Sequence, residues 1–170
     1  ELPDYILKFE QVAGSVNFSS KTGITSKEFS ATFLEEPVTG LVESALVDGK
    51  PSTTSIQLKG VTELDALSAW YDLSQFPLVS GKTEYRATLD IYYDNSSAPL
   101  LQVYTDLIGV ASTYPKPLKK EAGEKRPFRF SMELSGAPQH LNFGLDNDIN
   151  LSVEISAGQP PRGQIILGEG

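Results

Sequence analysis

Between Lys82 and Tyr93 the chain alternates without a slip. Tyr85, Ala87, Leu89 and Ile91 fall on one side, and Glu84, Arg86, Thr88 and Asp90 on the other. Successive side chains of an extended chain point to opposite faces, so this period specifies a strand with one apolar and one wet face. At ~3.4 Å per residue the run would span roughly 37 Å, long against strands of about 5–6 residues. Phe128, Phe130, Met132 and Leu134 repeat the pattern against Arg129, Ser131 and Glu133; Ile149, Leu151, Val153 and Ile155 repeat it against Asn150, Ser152 and Glu154. Shorter versions occur at Tyr5–Phe9, Val16–Phe18, Phe29–Phe33, Ile56–Leu58, Leu141–Leu145 and Ile165–Leu167. Turn formers separate them at Lys21-Thr22-Gly23, Asp48-Gly49-Lys50, Asp94-Asn95-Ser96-Ser97 and Asp146-Asn147-Asp148. A succession of hairpins with one apolar face predicts an all-β, predominantly antiparallel fold.

Two segments break the rhythm. Thr62–Leu73 places Leu64, Leu67 and Trp70 or Tyr71 at helical spacing behind a Thr62/Asp65 capping pattern, which predicts one short helix. Trp70 is expected to pack in a core rather than stack on a ligand. Pro115–Pro127 holds three prolines, four lysines and Arg126. Proline removes ladder donors, so this arm is expected to be an exposed excursion between two long strands rather than a central strand.

Chemistry is conspicuous by what is missing. His140 is the only histidine and there is no cysteine, so multi-histidine and thiolate metal sites and disulfides are excluded, and a triad would hang on one residue. Ser80-Gly81-Lys82-Thr83 imitates the tail of a phosphate loop, but Phe76 stands in place of the first glycine and a strand follows. Asp146, Asp148 and Asn150 have calcium-loop spacing, yet Leu151 replaces the required glycine and Ala157 the bidentate glutamate. No acid pair is singled out for glycoside hydrolysis. A formal net charge of −8 argues against nucleic acid, whose phosphates require a basic surface. No apolar run approaches the ~18 residues of a membrane span. The expectation is a noncatalytic chain without cofactor or metal.

Three stretches carry a family resemblance. FEQVAGSVNFSSKTGITSKEFSATFLEEPVTG runs from Phe9 through Gly14 and Gly23 to Pro37-Val38. LKGVTELDALSAWYDLSQFPLVSGKTEYRATLDIYY joins the Gly60 turn, the Trp-bearing segment and the Ser80-Gly81 entry into a long strand. LLQVYTDLIGVASTYPKPLKKEAGEKRPFRFSMEL holds Leu107-Ile108-Gly109, Tyr114-Pro115, Pro117-Leu118-Lys119 and Arg126-Pro127; Tyr114 departs from the aliphatic residue expected there. In this order the features, over about residues 5–155, resemble the AsmA-like bacterial envelope proteins of the YhdP type. The resemblance implies a periplasmic protein of a Gram-negative bacterium, anchored in the inner membrane by a segment outside this one and implicated in moving phospholipid between the two membranes. It also implies neighbouring repeats of the same long chain as partners, and offers no catalytic residues.

The 170 residues are therefore expected to form a single β-rich segment cut from a longer chain. The architecture expected is a long curled sheet forming an open groove or half-barrel, with a β-sandwich as the alternative. Its apolar lining is expected to comprise Tyr85, Leu89, Ile91, Phe128, Phe130, Met132, Leu151, Val153 and Ile155, facing phospholipid acyl chains. The competing function is a β-sandwich that binds carbohydrate or protein through Tyr92, Tyr93 and Tyr104.

Overall fold

The computed structural model describes residues 8–66, 78–94, 97–134, 138–156 and 158–168. Thirteen strands build one sheet: β1 (Glu10–Ala13), β2 (Val16–Ser19), β3 (Gly23–Ser26), β4 (Phe29–Phe33), β5 (Glu36–Val47), β6 (Lys50–Glu63), β7 (Val79–Tyr92), β8 (Leu100–Thr105), β9 (Val110–Ser112), β10 (Phe128–Glu133), β11 (Gln139–Leu145), β12 (Ile149–Ile155) and β13 (Arg162–Leu167). The main order is β1-β4-β5-β6-β7-β8-β10-β11-β12-β13, with β2 on β3, β3 on β5 and β9 on β7. All ladders are antiparallel, and β1 and β13 lie at opposite ends of the order without meeting. The result is an open curled sheet. The strands belong to one layer, which sets the sandwich alternative aside.

Several strands are long ones interrupted once. β3 and β4 share one side of β5, meeting it at Glu43 and at Glu36–Gly40. In the same way β9 and β8 share one side of β7, at Val79–Gly81 and at Arg86–Asp90. The break between β8 and β9 is forced by backbone geometry. Leu107 (φ 52°) and Gly109 (φ 95°) take left-handed conformations, which turn the chain out of the ladder and back. Gly81 (φ 113°) lies against the Gly109 carbonyl, where any side chain would collide.

Local readings needed correction at three places. Thr62 does not begin a helix. It and Glu63 close β6, where Thr62 pairs with Thr83, and only residues 64–66 are helical before the described residues stop. The remainder of the expected helix, Trp70 included, lies outside the described residues, as do Tyr5 and Leu7 of the first expected strand. β5, twelve residues long, was not legible because Pro37 and Gly40 interrupt its alternation.

The third correction concerns the arm. Residues 115–119 and 121–125 are exposed, but Lys120 and Arg126 are only 4% and 6% exposed. Lys120 bridges Ser112 through both backbone groups, Gly109 N–H donates to the Ala122 carbonyl, and Arg126 N–H donates to the Asp106 carbonyl. The arm thus runs beside β9 as an irregular neighbour rather than looping free. Lys120 Nζ donates to the carbonyls of Val110 (2.8 Å) and Glu121 (3.0 Å), and its burial lowers its pKa. Arg126 spans three partners: Asp146 (2.6 Å), Asp148 (3.6 Å) and the Pro117 carbonyl (2.6 Å). A guanidinium offers five donors in a fixed fork, so one residue can pin the arm to the β11–β12 turn.

Candidate functional site: the open apolar face

Directly opposed residues of antiparallel strands project to the same side. The register therefore reads as rows across the sheet. One row joins Val42, Ile56, Leu89, Leu101, Met132, Leu141 and Val153. The next joins Phe29, Gly40, Leu58, Ala87, Val103, Phe130, Phe143, Leu151 and Ile165. A third carries Ala31, Val38, Gly60 and Tyr85 on one side of the β8–β9 break, and Thr105, Phe128, Leu145, Ile149 and Leu167 on the other. Ile91 opposes Thr54, and Ile155 opposes Gln139, at the margin of the same face.

All nine residues expected from sequence stand on this face. Sequence reasoning did not place Leu101, Val103 or Phe143 among them. Leu101 and Val103 alternate less cleanly in their own strand, whereas Phe143 lies in the alternating Leu141–Leu145 run; the register brings all three onto the face. The glycines in the second and third rows are not gaps. The Phe29 ring packs over Gly40, and the Tyr85 ring lies about 3.1 Å from where a Cβ on Gly60 would stand. A neighbour's aromatic thus fills the slot each glycine leaves. Burial against this surface raises the pKa of the Tyr85 phenol. Phe130 and Phe143 rings pack 5.0 Å apart.

No second layer covers these rows among the described residues. Among the described residues only Ala31, Val38, Ala87, Val110 and Met132 are buried hydrophobics, and of these Val38 alone is a fully buried side chain. Tyr85, Leu89, Ile91, Phe128, Phe130, Leu151 and Val153 are half-buried and Ile155 is exposed. Hydroxyl groups border the stripe. On one flank Ile24 N–H donates to Ser44 Oγ (2.8 Å), which bonds Thr54 Oγ1 (2.7 Å), which bonds the Tyr93 hydroxyl (2.6 Å). On the other, Thr83 and Thr105 hydroxyls bond at 3.0 Å. The opposite face is mainly polar: Gln57, Lys59, Arg86, Gln102, Arg129, Asn142 and Ser152 are exposed, with Leu41 and Ile166 as apolar exceptions.

The tyrosines of the competing reading do not form one platform. Tyr92 and Tyr104 project to the polar side, six positions apart by register, whereas Tyr93 is tied into the hydroxyl chain. Among the described residues there is no grouping of three His, Cys, Asp or Glu side chains that could hold a metal. No helix there is long and apolar enough to cross a membrane.

These observations define a class: an open, single-layer antiparallel sheet with one continuous apolar face. The model of one protein family, described as YhdP protein, matches residues 1–170. The chain belongs to this family of AsmA-like cell-envelope proteins. No curated protein and no solved structure matches it.

Proposed function

We propose that the apolar face is a groove for phospholipid acyl chains and that the chain is a noncatalytic, periplasmic part of a lipid-transport path between the inner and outer membranes. One observation carries this reading: apolar rows that run in register across the sheet with no layer over them among the described residues. From β4 to β13 the order contains nine strands, so eight spacings of ~4.8 Å give roughly 38 Å. Tyr85 to Ile91 adds a width of roughly 20 Å at ~3.3 Å per residue. The product, roughly 770 Å², exceeds the ~300–600 Å² of the largest apolar patch on a typical monomer. A surface of that size calls for an apolar occupant, and the width exceeds the ~15 Å that one leaflet's acyl chains span. The hydroxyl borders suit the change from chain to glycerol.

The edges support a second element of the proposal, that neighbouring repeats of the same long chain continue the sheet. Phe18 is 78% exposed at one edge, and Ile165 and Leu167 are 63% and 68% exposed at the other. Edge strands of soluble proteins are normally blunted by charge or proline, and apolar ones invite pairing.

A photo-crosslinking residue at Phe130 and at Leu151, in the full-length protein in cells, tests the groove. Lipid adducts at both positions are expected. Clean expression with no adduct at either, alongside adducts elsewhere in the protein, would reduce this part to a spacer.

A further inference from the structure

The polar face holds a row that the groove does not use. Lys59 directly opposes Arg86, Arg86 opposes Tyr104, and Tyr104 opposes Arg129. Like charges directly opposite one another weaken a ladder, so nothing in the fold's stability explains Lys59 beside Arg86. Among the described residues none of the three cations makes an ion pair. The Arg86 guanidinium lies 5.1 Å from the centre of the Tyr104 ring instead. Asp106, two positions along from Tyr104, is already engaged: it accepts from the Tyr104 hydroxyl and pairs with Lys125 at 3.0 Å. Glu84 shares the face two positions from Arg86, without an ion pair of its own among the described residues. On a chain of net charge −8, three cations in one row without an ion pair among the described residues are a local exception, even with the charge of Arg86 felt at Asp106.

Beside this row the sheet is open. Lys82–Tyr85 of β7 has no ladder partner on the β8–β9 side, because the turn at Leu107–Gly109 carries the chain away. A cavity of about 850 Å³ occupies the gap, with Lys59, Glu84, Arg86, Tyr104, Asp106 and Ile108 in its wall. That is within the ~300–1,000 Å³ of small-ligand pockets and far more than a bare inorganic anion fills. Arginine's fork and a neighbouring lysine are the side chains that match phosphate oxygens.

We propose that this gap is a binding site for an organic phosphate of headgroup size. Lys59 and Arg86 take the phosphate oxygens, Arg129 extends the positive field, and Tyr104 and Ile108 wall the carbon-bearing part. Its cations project to the face opposite the acyl rows, while Gly60, Thr83, Tyr85 and Thr105 of the apolar side also line the gap. The charge variants below leave those side chains untouched, so the site is tested separately from the groove.

Calorimetric titration of the intact protein with sn-glycerol 3-phosphate at low ionic strength tests the soluble arm. Flotation with phosphatidylcholine vesicles, with and without phosphatidylglycerol, tests the lipid arm. Wild type should bind in at least one arm, and the double variant Lys59→Gln/Arg86→Gln should weaken that binding by about tenfold or more, the loss of one charge-assisted bond. Lys21→Gln/Lys27→Gln should leave it unchanged. Binding in the vesicle arm alone, lost in the same double variant, assigns the phosphate to a lipid headgroup. Absence of binding in both arms, or binding indifferent to the double variant, overturns the proposal. Lys59→Gln alone should hold or raise the melting temperature by relieving the opposition to Arg86; a clear fall would show that the row serves the fold, and would also overturn it.

Discussion

If the apolar face is open, truncating a large side chain on it should cost less than truncating a smaller one in the few places that are sealed. Leu151→Ala removes three carbons from a half-buried side chain. At ~0.8 kcal/mol per fully buried methylene the loss would be ~2.4 kcal/mol, so half-burial leaves about 1.2 kcal/mol. A void open to solvent adds no cavity term. Val38→Ala removes only two carbons, but Val38 is 1% exposed. Its transfer term is ~1.6 kcal/mol, and a residual cavity of ~40 Å³ adds roughly 1 kcal/mol, for a total of about 2–3 kcal/mol. The smaller truncation is therefore the more damaging. Urea unfolding followed by far-UV circular dichroism, with the midpoints compared at unchanged slope, measures both. Leu151→Asp should also remain folded, since water can reach a carboxylate there. A Leu151→Ala cost within the ~2–5 kcal/mol of closed cores, and above that of Val38→Ala, would refute the reasoning, as would loss of the folded state in Leu151→Asp.

Other outcomes follow from particular contacts. Gly81→Ala should destabilise by more than the ~1–3 kcal/mol of a strained backbone, because the new Cβ meets the Gly109 carbonyl. Gly49→Ala, with open space around it, should cost only about 1 kcal/mol, and thermal melts of the two variants make the comparison. Arg126→Ala should free the arm from Asp146 and Asp148 and break its internal tie to the Pro117 carbonyl, so that trypsin cuts after Lys119 early in the variant and late in wild type. Lys120 carries a pH signature. Burial lowers its pKa below 10.5, so as pH rises the folded state gives up a proton that the unfolded chain still holds. Stability should therefore rise with pH in the interval just below 10.5, and urea midpoints of Lys120→Met should lack that rise.

How much of this was legible in the sequence differs strand by strand. β7 from Tyr85 onward, β10 and β12 announce themselves because each has an apolar residue at every second position and a polar one between. β5 and most of β6 do not. Their apolar slots are taken partly by Gly40 and Gly60, and the volume that fills them comes from Phe29 and Tyr85 on neighbouring strands. Period-2 reasoning sees only a strand's own side chains, so a slot filled from next door reads as a break. The arm shows the same limit in charge. Lys120 and Arg126 look like members of a solvated basic cluster until the fold brings the Val110 carbonyl to one and Asp146 and the Pro117 carbonyl to the other. The cationic row was hidden for a related reason. Lys59, Arg86 and Arg129 are each an ordinary outward residue, and only the pairing register lines them up.

The near-sequential strand order has a kinetic consequence. Each ladder joins strands that follow one another or are separated only by the remaining piece of an interrupted strand or by one hairpin. Pairing never waits for a distant part of the chain, so loop-closure entropy stays small for an all-β protein. The sheet can grow by adding one hairpin at a time to an existing edge, as in a solenoid whose units touch only their neighbours. Hydrogen exchange should then show protection graded by position: slowest in β6 and β7, which have partners on both sides over most of their length, and fastest in β1, β2 and β13. A chain that emerges from a translocation pore one end first could begin to fold before its last strand arrives.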